Sequence, residues 1–336
     1  MTTVTTNEAK SVEAPSNLAL RGGPDRTTPI WLDRVSKWYG SVIGVNEMSL
    51  RVESGIVGLL GPNGAGKSTL IRLITGQLRP NLGKLRVYGR SVRSPSARRR
   101  VGYCPDVDAF YEEMSGREFV DSMLRLSGYS RAEAKARAEE ALETVGMSDE
   151  LGQKRGSKKL RSCSKGMRQR IKLAQAIAHD PDLLVLDEPM AGLDPVGRRD
   201  FCRLFRDLAD RGKTILISSH ILNEIEDIAE SVILIGQGRI LAQGTWGEVV
   251  RFLDHLPQQV HVTCDRLREF VSKLILWPGV IDARMKNDRE CVLMTRDPDG
   301  LCERIGRLVC EEGFRVDRLR TNDQWADALF SLAEGG

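Results

Sequence analysis

One stretch of the sequence decides the fold: Gly61-Pro62-Asn63-Gly64-Ala65-Gly66-Lys67-Ser68-Thr69. It follows Ile56–Leu60, a short apolar run typical of a buried parallel strand. From Ser68 onward, apolar residues recur at helical spacing as far as Gly76. A strand, a glycine-rich loop and a helix in this order are the setting that a phosphate-binding loop requires.

Each residue type in this loop has a chemical reason to be there. Gly61, Gly64 and Gly66 let the backbone curl so that its amides point at an anion, at a helix N-terminus whose dipole favours negative charge. Lys67 is expected to reach the β- and γ-phosphates of a nucleotide, and Ser68 to ligate Mg²⁺. A chance glycine-rich turn does not explain the filled motif between a strand and a helix. The other loop residues predicted to bind the nucleotide are Pro62, Asn63, Ala65 and Thr69.

An acidic pair, Asp187 and Glu188, directly follows the apolar run Leu183–Leu186. A carboxylate at the C-terminal end of a parallel strand can hold Mg²⁺ through water, which is the role predicted for Asp187. Glu188, past the strand end, can turn towards the γ-phosphate as a general base for water. Taken alone, the pair is as readily an ordinary strand end. Its position downstream of the loop, with Pro189 next, favours the catalytic interpretation.

Alternating apolar strands and helices predict an α/β fold with a largely parallel core sheet. Helices are predicted at Ser130–Val145, with Ser130 as its N-cap, and at Gly166–Ala178. Strands are predicted at Thr214–Ile217 and at Val232–Ile235, the second of which leads into a hairpin.

The chain is predicted to have four parts. Residues 1–28 are polar and aperiodic and indicate a disordered tail. Residues 29–245 form the nucleotide-binding domain, and residues 246–256 form a linker. Residues 257–336 have the order strand-helix-strand-strand-helix-strand, which predicts a small α+β ferredoxin-like accessory domain ending in a helix at Asn322–Leu332.

Composition and charge argue against several classes of protein. The 336 residues carry 50 Lys and Arg against 46 Asp and Glu, a net charge of +4, whereas a dedicated nucleic-acid binder shows a denser basic stripe. Basic runs such as Arg98–Arg100 indicate solvated faces, with anionic lipid headgroups as the second interpretation. No apolar run approaches the roughly 18 residues that cross a bilayer, and the N-terminus lacks the apolar core of a secretory signal. The seven scattered cysteines fit a reducing cytosol.

A further motif starts the second predicted helix. The segment from Cys163 to Arg170 contains Ser164 and Gly166, and alone it is simply a capped helix. Shortly before Asp187, however, it resembles the Leu-Ser-Gly-Gly-Gln-type signature of the nucleotide-binding subunits of ATP-binding-cassette (ABC) transporters. Ser164 and Gly166 match two signature positions, and the Ser-Lys-Gly-Met variant resembles the exporter-type branch. The resemblance covers residues 30–245.

The resemblance assigns roles to three more residues. Tyr39 resembles the aromatic residue that stacks on adenine, although strand packing is its simpler interpretation. The segment Gly192-Leu193-Asp194 resembles the loop that follows the acidic pair and contacts the partner subunit, and Asp194 is its residue predicted to take part in binding. His220, after a predicted strand, resembles the histidine that contacts the γ-phosphate, although a lone histidine is usually an ordinary surface or core residue.

Asp106 is a departure from the family pattern. It follows Tyr103-Cys104-Pro105, where the family usually has a glutamine that senses Mg²⁺ and the membrane partner. A carboxylate can still bind the metal or its water, so Asp106 joins Ser68 and Asp187 as a predicted metal ligand. It also adds negative charge near the γ-phosphate.

The resemblance implies an ATPase that uses ATP and Mg²⁺ and works as a dimer. Each ATP would lie between one chain's loop and the partner's signature helix, which makes a homodimer isologous. A separate integral-membrane permease would dock near Asp106 and the Ser130–Val145 helix, placing the chain on the cytoplasmic face of the membrane as an export motor. The alternative is a non-transport cassette ATPase that acts on ribosomes or DNA. A third hypothesis makes the C-terminal domain, which resembles exporter-type extensions, the basis of a regulatory interaction subunit.

Overall fold

The computed structural model describes residues 25–147, 158–249 and 257–321. These residues divide into two compact units, the first ending at Gly244 and the second beginning at Thr245. Each unit has its own sheet and its own hydrophobic core.

The first unit begins with a four-stranded antiparallel sheet in the order β2-β1-β4-β5. The strands are β1 (Ile30–Tyr39), β2 (Val42–Val52), β4 (Leu82–Val87) and β5 (Arg90–Ser91). Its apolar residues join the core of the first unit, because Ile30, Leu50 and Val87 pack in one cluster with residues of the first helix.

The second sheet of this unit has six strands. The five adjacent strands β9, β3, β8, β7 and β6 run parallel to one another. The order is β10-β9-β3-β8-β7-β6. As the apolar runs predict, three central strands are buried along their whole length. The strands are β3 (Ile56–Leu60), β6 (Val101–Cys104), β7 (Leu183–Asp187), β8 (Thr214–Ser219), β9 (Ser231–Gly236) and β10 (Arg239–Thr245). Parallel strands end at a common edge, so the residues after β3, β6, β7 and β8 are brought together.

The helices of the first unit surround these sheets. They are α1 (Lys67–Ile74), α2 (Pro95–Arg98), α3 (Gly116–Leu126), α4 (Arg131–Thr144), α5 (Lys165–Ile177), α6 (Pro195–Asp210) and α7 (Leu222–Glu226). The predicted N-cap Ser130 is confirmed: its side chain accepts from the Glu133 amide, and the Glu133 carboxylate bonds back, a capping box. In the described ranges, no helix is long and apolar enough to cross a membrane.

The second unit confirms the predicted βαββαβ order. Its elements are β11 (Gln258–Cys264), α8 (Leu267–Leu274), β12 (Val280–Met285), β13 (Glu290–Thr295), α9 (Pro298–Glu312) and β14 (Val316–Thr321). The sheet order β12-β13-β11-β14 is antiparallel throughout, which is the ferredoxin-like arrangement. Both helices pack on one face of the sheet, where Phe270 meets Phe314 edge to face.

Two predicted boundaries differ from the structure. Residues 25–28, placed in the tail by sequence, form a turn in which the Asp25 carboxylate accepts from the Thr27 and Thr28 amides, and Thr28 is buried. In the predicted linker, residues 246–249 are helical. Residues 1–24 and 250–256 and the predicted helix Asn322–Leu332 lie outside the described residues.

Candidate active site

The loop between β3 and α1 takes a conformation that requires its glycines. Gly64 and Gly66 have positive φ angles of 83° and 108°, a region that other residues rarely adopt. A Cβ on Gly61 would lie 2.4 Å from the carbonyl oxygen of Ile235. The loop is also tied down, because the Gly238 amide donates to the Ala65 carbonyl at 2.8 Å.

Lys67 is the first residue of α1 and is buried. Its Nζ donates to the carbonyl oxygens of Gly61 at 2.6 Å and Pro62 at 3.4 Å, and it lies 3.9 Å from Oε1 of Glu188. Burial lowers the pKa of Lys67, and the neighbouring carboxylates of Glu188 and Asp187 act against this shift. The ammonium group is therefore held beneath the loop by carbonyl oxygens, which a phosphate oxygen can replace.

Asp187 is the last residue of β7 and lies buried in the middle of the sheet edge. Its Oδ1 accepts a hydrogen bond of 2.7 Å from Oγ of Ser218 on the neighbouring strand β8. Burial raises the pKa of Asp187, and Asp106 raises it further, whereas hydrogen bonds from Ser218 and Ser68 lower it. Asp187 thus sits among the groups that the sequence assigns to the metal.

Glu188 follows in a conformation that is rare for a side-chain-bearing residue. Its φ angle is +49°, and its backbone N–H donates to Oγ of Ser218 at 3.0 Å. The positive φ turns the chain immediately after the strand, which lets the Glu188 carboxylate face Lys67 although the preceding Asp187 carboxylate bonds Ser218.

Ser218 is a residue of this site that the sequence interpretation missed. It is fully buried, donates to Asp187 and accepts from the Glu188 amide, so it links the two residues of the acidic pair. One signal was available in the sequence: a serine two residues before His220, directly after the apolar run Ile215–Ile217.

His220 follows β8 and lies against Glu188. Its Nδ1 is 3.0 Å from Oε2 of Glu188, and because a carboxylate only accepts, Nδ1 carries the proton in this contact. Burial raises the pKa of Glu188, while His220 and Lys67 oppose that rise. The imidazole is 47% exposed, so its other nitrogen remains accessible from solvent.

Asp106 follows β6, which lies beside β7, and its side chain is exposed. Its carbonyl oxygen accepts from Nζ of Lys172 at 2.7 Å, and the same Nζ is 3.0 Å from Oδ1 of Asp108. Lys172 is buried and fixes the Asp106 segment from below, a contact that the sequence did not indicate.

Tyr39 ends β1 and is 44% exposed. The ring and the side chain of Thr69 both border Gly44, which has no side chain to keep them apart. An exposed aromatic face therefore lies next to the first turn of α1, whereas strand packing would have buried it.

Ser164, Gly166 and Asp194 lie at two other helix N-termini. Ser164 is exposed and caps α5, accepting from the Met167 amide at 3.3 Å. Asp194 caps α6 and accepts from the Gly197 amide at 2.8 Å. Gly166 borders Leu193, since a Cβ on Gly166 would lie 3.6 Å from that side chain. Across the described part of the chain, the side-chain hydrogen bonds of Ser164 and Asp194 stay within their own helices.

The comparisons with known proteins match this geometry. A sequence profile of the family described as "ABC transporter" matches residues 45–191, which include the loop, Ser164 and the acidic pair. The ABC transporter ATP-binding protein NatA of Bacillus subtilis is 38% identical over 207 residues, covering 60% of this chain and 82% of NatA. The chain belongs to the ABC transporter ATP-binding family.

Other members of this ABC family cover the same region. The daunorubicin/doxorubicin resistance ATP-binding protein DrrA of Streptomyces peucetius is 40% identical over 216 residues, covering 63% of this chain and 64% of DrrA. The chain spans less than two thirds of the length of DrrA and of two cyanobacterial relatives. A solved ATP-binding subunit of an ABC transporter superposes with a TM-score of 0.60 at 29% identity, covering 67% of this chain and 93% of that one.

Proposed function

We propose that this chain binds and hydrolyses ATP as the motor subunit of an exporter. The observation that carries the proposal is the convergence of Lys67, Asp187, Glu188 and His220 at the C-terminal edge of one parallel sheet. In parallel α/β sheets this edge is where ligands bind.

The loop residues would hold the triphosphate. Backbone amides of the loop and the N-terminus of α1 would face the phosphates, and Lys67 would exchange its carbonyl partners for β- and γ-phosphate oxygens. Tyr39, exposed beside Thr69, would stack on the adenine ring.

The residues near Asp187 fit Mg²⁺. Ser68, Asp187 and Asp106 supply a hydroxyl and two carboxylates, the hard oxygen ligands that Mg²⁺ prefers, together with nucleotide phosphates and water. The raised pKa of Asp187 reflects burial and the Asp106 charge, both of which a cation would offset. Bound there, the ion would neutralise charge on the phosphates and orient them.

Glu188 would act as the general base for the attacking water. Its raised pKa makes it a stronger base than an exposed glutamate, while Lys67 and His220 act against that rise and favour its ionised form. With a proton on its second nitrogen as well as on Nδ1, His220 would donate to the γ-phosphate. Together with Lys67, it would stabilise the charge that develops there.

The second half of each site would come from a partner chain. Ser164 and Gly166 lie at a helix N-terminus whose serine is exposed and, among the described residues, hydrogen-bonded within its own helix. In a head-to-tail homodimer, Ser164, Gly166 and Asp194 of each copy would cover the loop of the other. ATP binding would close this dimer and hydrolysis would loosen it.

A separate membrane permease would convert this closure into export, with the chain on the cytoplasmic face of the membrane. A groove of about 770 Å³ lies between α2 and β6 on one side and α3 on the other, and it is lined by Arg98, Tyr103, Met123 and Leu126 among others. We propose this groove, close to the Asp106 segment and to α4, as the docking site. The resistance name of DrrA favours export over the alternative, a cassette ATPase acting on ribosomes or DNA.

The test uses Glu188→Gln in the full chain. We expect Mg²⁺-dependent ATP turnover to fall by about a hundredfold to a thousandfold, with ATP still bound and a dimer visible by light scattering. Asp182→Asn, a carboxylate before β7 that pairs with Arg100, is the matched control. Unchanged turnover in Glu188→Gln contradicts the assigned base. Co-purification from detergent with a multispanning protein tests the transport role.

A further inference from the structure

The charge of this chain is unevenly distributed along the sequence. Residues 54–105 contain ten Lys and Arg and no Asp or Glu. The remaining residues carry 40 basic against 46 acidic side chains, so the modest net charge of +4 conceals a strongly cationic segment. The phosphate-binding loop uses only Lys67 of these ten.

Four of the cations converge on one cavity. Arg79, Lys84, Arg86 and Arg93 line a cavity of about 280 Å³ between the α1–β4 connection, β4 and the segment after β5. Among the described residues, none of the four has a carboxylate within ion-pair distance. The nearest strand-neighbour carboxylate is Asp33, opposite Lys84 in the β1–β4 ladder, and it faces Arg34 at 3.7 Å.

The cationic cavity continues towards the proposed permease groove. Nη2 of Arg98 donates to the carbonyl oxygen of Arg93 at 3.4 Å, and Arg98 and Arg99 line the groove itself. Arg100 is excluded from this set, because it pairs with Asp182. We call the remaining six side chains the cationic surface: Arg79, Lys84, Arg86, Arg93, Arg98 and Arg99.

We propose that the cationic surface binds the anionic phospholipid headgroups of the membrane that holds the permease. The proposal rests on the proposed function, because the shared residues Arg98 and Arg99 bring the surface next to the permease groove and hence towards the bilayer. Juxtamembrane clusters of four to eight Lys and Arg are attracted to anionic leaflets, within about a Debye length of the surface. The surface would hold the motor against the membrane independently of the permease.

The chemistry of the cavity favours a lipid headgroup over nucleic acid. Binding of single strands relies on aromatic platforms for the bases, and the cavity lining contains no aromatic side chain. Instead, Leu78, Leu85 and Val92 line it beside the cations. Cations around a partly apolar recess suit a phosphate group attached to an apolar chain.

The experiment is vesicle flotation of the purified full chain with phosphatidylglycerol-containing vesicles, compared with pure phosphatidylcholine vesicles. We expect binding only to the anionic vesicles, and loss of binding in about 1 M salt, where the Debye length is about 3 Å. The fourfold variant replaces the cavity cations by glutamine. Each cation removed should lower the partition coefficient onto anionic vesicles by about fivefold. We therefore expect at least about a tenfold loss of binding. Its substitutions are R79Q, K84Q, R86Q and R93Q.

A matched variant removes the same charge from exposed positions elsewhere and should keep anionic-vesicle binding. Its substitutions are R203Q, R211Q, R304Q and R307Q. Equal loss in both variants would show a non-specific charge effect and overturn the proposal, as would equal binding to neutral vesicles. Binding of soluble polyphosphate or RNA without binding of vesicles would also overturn it.

ATP turnover, measured in the same variants without vesicles, separates this inference from the proposed function. We expect it to stay unchanged in both fourfold variants, since none of these residues contacts the loop, the acidic pair or His220. A wild-type chain that fails to hydrolyse ATP but still binds anionic vesicles would refute the motor role. The proposal that the cationic surface binds lipid headgroups would still hold.

Discussion

The loop at residues 61–69 and the start of α5 at Ser164 both present a helix N-terminus without an acidic residue in its first turn, but their surroundings differ. Lys67 is buried and linked to carbonyl oxygens and to Glu188. Ser164 is exposed, and its side chain accepts from the Met167 amide in the first turn of its own helix. Half of the proposed nucleotide site is therefore assembled within the chain, and the other half is presented to solvent.

The half of the site that is assembled within one chain, from the phosphate-binding loop, the acidic pair and His220, is called the internal half below. The largest effect is expected from a substitution in this internal half. Lys67→Ala removes the ammonium group held under the loop, so we expect ATP turnover to fall about a thousandfold and nucleotide binding to weaken. Arg72→Ala, in the last turn of the same helix, is the matched control and should retain turnover. Both are measured by phosphate release and by fluorescent ATP-analogue binding. Lys67→Ala turnover within a few fold of wild type would refute the assigned role.

His220→Asn tests how the internal half sets the protonation of Glu188. A base works only when ionised, so activity is lost as the pH falls through its pKa. That pKa is raised by burial and lowered by His220. Removing His220 should cost about a hundredfold in rate and move the acid limb of the pH–rate profile to higher pH. His261→Asn, in β11, is the control, and an unmoved acid limb would contradict the coupling between His220 and Glu188.

Much of the internal half was readable from sequence. The loop, Asp187 and the strand ends follow from apolar runs and glycine spacing, and the structure brings the predicted Lys67, Ser68, Asp187, Glu188 and His220 to one edge. Parallel strands explain this success, because their C-terminal ends must share an edge.

The residues that sequence missed belong to contacts between elements. Ser218 is a small polar residue in an apolar strand, and only the β7–β8 pairing shows that it faces the acidic pair. Lys172 has the sequence appearance of an exposed helical lysine, yet it is buried under the Asp106 segment. The sequence also did not predict the turn at Asp25, because its hydrogen-bond partners Thr27 and Thr28 look like part of a polar tail.

A smaller effect is expected from a substitution at Ser164, in the half of the site that the chain presents to solvent. Ser164→Ala should reduce turnover by about tenfold or more through loss of a phosphate contact, and weaken the α5 cap by about 1 kcal/mol. ATP binding to the loop of the same chain should persist. Ser162→Ala, which removes a hydroxyl that donates to the Lys159 carbonyl at 2.8 Å, is the control.

Mixing variants sharpens the comparison between the two halves. In a head-to-tail dimer of Lys67→Ala with Ser164→Ala, one site combines both defects and the other is intact. The mixture should therefore turn over ATP faster than either variant alone, measured as turnover against mixing ratio. An absence of rescue would show that both halves act within a single chain.

The smallest effect is expected from Ser218→Ala, which leaves every proposed ligand in place and removes only the link between Asp187 and the Glu188 backbone. We expect about a tenfold loss in turnover, because a buried hydrogen bond that positions two groups contributes about 1–1.5 kcal/mol.

The diagnostic measurement is Mg²⁺ affinity against pH. The Ser218 hydroxyl lowers the pKa of Asp187, so its removal raises that pKa, and protons should compete with Mg²⁺ from a higher pH downward. Ser219→Ala, at the next position, removes a hydroxyl that bonds Glu224 and should leave the pH dependence of Mg²⁺ affinity unchanged. If Ser218→Ala loses rate with no change in that dependence, Ser218 only supports the packing of β8, and the internal half does not need the link.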